Sequence, residues 1–158
     1  MLGVHFAITA DQERLLLAAA DEDLGALLED IEETWDDDGL KVDTDKAWDA
    51  IHRSLTDGTL DPDDGRYPLS YAVLGGLEMD LDLCIVYKTA AQVREVADAL
   101  QGIDQSWLRQ RFDAIDDPHY GGALDDGDFR YTGTNFVDVR DFYQRAAAAG
   151  RAVIFTAT

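Results

Sequence analysis

The chain has 158 residues, 46% of them hydrophobic and 29% charged, a balance that excludes a disordered polymer and suits one domain with its own core. Thirteen Lys and Arg against 33 Asp and Glu give a formal net charge of -20, which argues against direct binding to nucleic acid or an anionic membrane. The same field attracts basic proteins and cations, although the preference for Asp and Arg fits proteome-wide composition or a saline cytoplasm equally well.

The opening MLGVHFAITADQER has no basic n-region and no apolar run long enough for a signal peptide or a membrane span, and no later segment has one, so a cytoplasmic protein is expected. VHFAI (4–8) alternates as a half-buried strand does. Thr9 and Gln12 then form a capping box, and Leu24, Leu27, Leu28, Ile31 and Trp35 recur at helical spacing. A strand therefore leads into a long, broken helical region that WDDDG (35–39) stops. Thr44 is placed to cap a helix over 45–55, and PLSYAVLGG (68–76) reads as a short helix with Pro68 in its first turn.

LCIVY (83–87) is a second, largely apolar strand, with Cys84 as a buried small hydrophobe. Cys84 is the only cysteine, so no internal disulfide forms, in keeping with a reducing compartment. TAAQ is a second capping box and opens a helix bearing Val93, Val96, Ala97 and Leu100. A short helix follows over 105–112, and 113–135, with PHY, GG, DDGD and GTN, reads as the longest loop. Asp138 is placed to cap a last helix with Phe142, Tyr143, Ala146 and Ala147 inside, closed by Gly150, before the final strand RAVIFT (151–156). These elements predict a single α+β domain over 1–158, a small mixed sheet of strands near 4–8, 83–87 and 151–156 packed by about five or six helices.

The segment DTDKAWDAIHRSLTDG (43–58) holds the candidate site. At about 100° per residue, Ala47, Trp48, Ile51 and Leu55 share a core-facing arc, and His52 falls on its border beside Trp48, Asp49 and Asp45. His52 is thus a candidate general base or proton shuttle oriented by Asp45 or Asp49. A simpler reading has His52 sealing the helix edge through a carboxylate or carbonyl, Trp48 anchoring the core, and Asp49 with Arg53 as a solvated ion pair. The simpler reading is favoured, because catalysis needs a second group across a cleft and the sequence shows none.

Other chemistry finds little support. Histidines stand scattered at 5, 52 and 119, without CxxC or HExxH, so no metal is expected. Asp36, Asp38, Gly39 and Asp45 align with a calcium loop that fails at Thr34 and Lys41. His119 beside Asp116 and Asp117 reads as a surface turn. No phosphate-cradling loop or nucleophile elbow is present, so no cofactor is expected.

Taken in order, GVHFAI, DKAWDAIHRSLTDG, PLSYAVLGG, LRQRFD and FYQRAAAAGRAVIFT make the chain resemble, over nearly its whole length, the YfbM-like family of small bacterial proteins of unknown function (domain of unknown function 1877). The resemblance implies one α+β domain in a bacterial cytoplasm and carries over no catalytic residue; 57–66 and 116–135 match no family pattern. The leading functional expectation is a non-enzymatic acidic interaction module that binds a basic protein. An immunity-like protein masking a basic toxin, or a mimic of nucleic acid charge, would be special cases. The alternative is a small enzyme or ligand-binding domain with a pocket near Asp45, Trp48 and His52, closed by 116–135. Nothing in the sequence points to an oligomeric state.

Overall fold

Alternation along β1 (Gly3–Ile8) sends Phe6 and Ile8 to one face and His5 and Ala7 to the other, and all four are buried, so the strand needs cover on both sides. The computed structural model, which describes residues 1–158, supplies it. Strands β2 (Lys41–Asp43), β3 (Leu77–Asp80), β4 (Ile85–Lys88) and β5 (Ala152–Ala157) complete an open sheet in the order β2-β1-β5-β4-β3. Helices α1 (Ala10–Ala18) and α2 (Asp21–Thr34) cover one face, where Leu16, Leu24, Leu28 and Ile31 pack on Phe6, Ile8, Ile85 and Ile154. Helices α3 (Ala47–Leu55), α4 (Ala90–Gln101), α5 (Gln105–Asp113) and α6 (Asp126–Ala148) cover the other, on a larger core that includes Val153, Phe155, Phe142 and Tyr143. No helix is long and apolar enough to cross a membrane.

The α+β class and both capping boxes stand: Thr9 accepts from the Gln12 N–H and Thr89 from the Gln92 N–H, each with the reciprocal glutamine bond. The sheet, however, is antiparallel throughout rather than mixed. β1 and β4 both pair with β5, which runs against each of them, so strands of like direction never become neighbours. Strands β2 and β3 were not expected. They are three and four residues long and sit at the sheet edges, too short to show a period and, in β3, never fully buried.

Three further expectations are corrected. The segment 68–76 holds only a 3-10 turn, Leu69–Tyr71, because the chain folds back so tightly that a Cβ on Gly75 would overlap the Ser70 carbonyl. Cys84 is half-buried at φ 46, in the turn before β4 rather than in the strand. The largest difference lies in 113–135: α6 starts at Asp126, not near Asp138, and runs 23 residues. Asp125 caps it by accepting from the Asp128 N–H at 2.8 Å, so DDGD is the first turn of a helix.

Candidate functional site

Thr44 does not cap α3. Its N–H and hydroxyl both donate to the Gly3 carbonyl, at 2.8 and 2.7 Å, and fasten the chain to β1. Lys46 occupies the cap position instead, and no side chain closes the helix start. The Trp48 and Asp49 N–H groups in the first turn have no acceptor in the protein. Asp45 takes φ 49, held by its N–H on Asp43 at 2.8 Å and by the Tyr131 hydroxyl donating to its carboxylate at 2.7 Å.

Trp48 is buried. Its indole N–H donates to the Met1 carbonyl at 3.2 Å, its ring lies 5.7 Å from that of Phe155, and it sits so close to β1 that a Cβ on Gly3 would strike the indole. His52 is also buried rather than on a border, with Nε2 3.2 Å from the Asp61 carbonyl and Nδ1 without a partner. A carbonyl only accepts, so Nε2 carries the proton. Burial pushes the His52 pKa down to about 4, against a weaker opposing pull from that carbonyl bond, and the ring is neutral at pH 7. Neither Asp45 nor Asp49 orients it.

Asp49 instead accepts from Arg53 Nε at 2.6 Å, and this pair is no solvated surface contact. Arg53 is 2% exposed; it also reaches Asp117 at 2.5 Å and the Gly58 carbonyl at 3.1 Å, and lies 5.5 Å from the Tyr120 ring. The His119 backbone N–H and Arg53 together hold the Asp117 carboxyl at about 2. Arg53 therefore ties the loop after α5 to α3, a role that local spacing could not reveal because Asp117 is 64 residues away.

Beside this node lies a cavity of about 460 Å³ between the starts of α3 and α6, within the usual range for small-molecule pockets. Trp48 and Asp49 line it with Tyr120, Asp128, Tyr131 and Thr132. Asp45 touches it only through Tyr131, and His52 is not part of it. The Tyr120 hydroxyl donates to Asp128 at 2.9 Å; burial first, then this carboxylate, pushes its pKa up. Thr132 is fully buried and its hydroxyl has no partner. Tyr120, Asp128, Tyr131 and Thr132 escaped sequence reasoning because 113–135 read as loop. The aromatic spacing in DFRYTG was the signal available. No three His, Cys, Asp or Glu side chains converge on a metal position.

The opposite side of the sheet differs in chemistry. Residues 11–38, which hold α2 and all of α1 but Ala10, carry twelve carboxylates and one base, Arg14, itself paired with Asp11 at 2.7 Å. Leu15 and Leu17 stand 54% and 50% exposed among them. Leu15 and Leu27 flank a shallow groove floored by Ala18, Ala19 and Ala26.

The family model DUF1877, described as a domain of unknown function, matches residues 1–156. Among solved structures, the chain is similar to YfbM from Escherichia coli, itself described as a protein of unknown function, with a TM-score of 0.73, 22% identity and 99% of each chain covered. That likeness shows the fold. No curated protein matches the chain.

Proposed function

The chain belongs to the DUF1877 family, and on that premise we propose that it is a non-enzymatic binding module whose α1–α2 face docks a basic, amphipathic protein segment. The observation that carries this reading is the pairing, on one face, of carboxylates almost free of bases with the exposed Leu15 and Leu17. Proteome-wide composition would spread acids over the whole surface, whereas 28 of the 158 residues here hold twelve of the 33. The leucines and the groove beside them give a partner apolar area to bury, and the carboxylates set its encounter rate and its selectivity for positive charge. Each exposed ion pair adds little alone, so affinity rests on the apolar contact.

The test starts with capture from native lysate at low and moderate salt and continues with titration of the purified partner. A one-to-one complex with a basic protein is expected, weakening as salt rises and losing about tenfold or more in affinity on Leu15→Asp. An affinity that ignores ionic strength, or that survives substitution of Leu15 and Leu17, would overturn the reading.

A further inference from the structure

We propose that the cavity between the first turns of α3 and α6 binds a small aromatic carboxylate, a site separate from the α1–α2 docking face. The inference comes from matching donors to acceptors around the cavity. Its carboxylates are already committed: Asp49 to Arg53, Asp128 to the Tyr120 hydroxyl and the Leu124 N–H, and Asp45, at the rim, to Tyr131. Its donors are not. The Trp48 and Asp49 N–H groups head a helix that no side chain caps, Lys46 makes no ion pair, and the Thr132 hydroxyl is buried without any partner.

A helix start with free N–H groups beside an ammonium is a place for an anion. Thr132 supplies an independent sign of a missing ligand, since a buried hydroxyl left unpaired costs free energy that a carboxylate oxygen would recover. Trp48, Tyr120 and Tyr131 give the cavity aromatic surface for a flat, apolar body. The acidity of the chain opposes any anion, but its densest part covers the other face of the sheet, and screening over about 8 Å at physiological salt blunts it.

The probe is 3-phenylpropanoate, titrated by ¹H–¹⁵N NMR at about 150 mM salt against its neutral amide and against phenylpropylammonium. The carboxylate is expected to give saturable shifts at Trp48, Asp49, Gly121 and Thr132 and to bind more tightly than either comparator. Thr132→Val and Lys46→Met should each weaken it by about five- to tenfold, with the melting temperature kept in Lys46→Met and kept or raised in Thr132→Val. A Cβ on Gly121 meets nothing within 4 Å, so Gly121→Leu projects into open space beside the cavity and should block binding without unfolding the protein. Absence of saturation, equal or tighter binding of the amide or the ammonium, or full affinity in Thr132→Val and Lys46→Met would each overturn the proposal.

Discussion

The two faces of the sheet are built on opposite terms. On the α1–α2 side a core of ten residues supports two helices that carry acids and exposed leucines outward. On the α3–α6 side a core of 28 residues encloses cationic and basic groups: Arg53, Lys88, His5 and His52 are all buried there. Lys88 is 0% exposed, with its ammonium 2.5 Å from the Val73 carbonyl and 5.7 Å from the Phe155 ring. His5 lies among the rings of Phe142, Tyr143 and Phe155 with both nitrogens unpartnered, and burial, aided by Lys88, holds its pKa well below the usual value. The contrast separates two uses of charge. The thin layer carries it on the surface, whereas the thick layer has to compensate it internally or titrate it away.

The largest effects should come from the thick layer. Phe155→Ala is expected to cost about 4 kcal/mol in urea unfolding, and Arg53→Ala about 3 kcal/mol, because Asp49 and Asp117 would lose their common partner. Leu28→Ala in the thin layer should cost about 2.5 kcal/mol. Equal losses on both sides would break the comparison.

Lys88→Met sharpens it. Burial pulls the Lys88 pKa from 10.5 down to about 7 in the folded protein. Between those values the unfolded chain binds the extra proton, so the parent gains stability as pH rises from 7 toward 10.5. The variant has nothing to titrate. It should exceed the parent by about 2 kcal/mol below pH 7 and lose that margin by pH 10, read from paired urea curves.

A smaller effect is expected from His52→Gln, about 1 kcal/mol at pH 7. The folded-state pKa of about 4 lies below the ordinary 6.5, so the parent loses stability as pH falls from 6.5 to 4. The variant should lose that part of the slope. The smallest effect belongs to the thin layer: α2 ends on Glu32 and Glu33 with no base in its last turn. Glu33→Lys should therefore raise stability by about 0.5 kcal/mol in thermal melts while weakening the basic partner proposed for that face.

The elements legible in the sequence were those whose signals are local. Thr9 and Thr89 cap what they announced, the strand at 4–8 alternates, and 151–156 carries a short continuous apolar run. What escaped depends on contacts distant in sequence. The first half of α6 carries Gly127 and Gly133, which read as turn residues; Gly133 is buried within the helix, and the long apolar side of Phe129, Phe136 and Val139 decides the conformation. At the candidate site, Trp48 and Asp49 are neighbours on α3, but the cavity they line needs Tyr120, Asp128, Tyr131 and Thr132 from a helix and loop more than 70 residues away. His52 looked like a border residue because its cover, the segment around Asp61, has no periodicity to predict.

The position of β5 has a consequence for the order of assembly. It lies between β1 and β4, pairing with β1 from Gly3↔Ala157 to Ile8↔Ala152 and with β4 from Val86↔Phe155 to Lys88↔Val153. Until residue 157 has left the ribosome, the nascent chain holds only two separate strand pairs, β2 with β1 and β4 with β3, neither large enough to persist in water. Folding is therefore expected to wait for the end of this segment and then to join the sheet in one late, cooperative step. A chain interrupted before β5 would expose both halves of the core to chaperones or proteases.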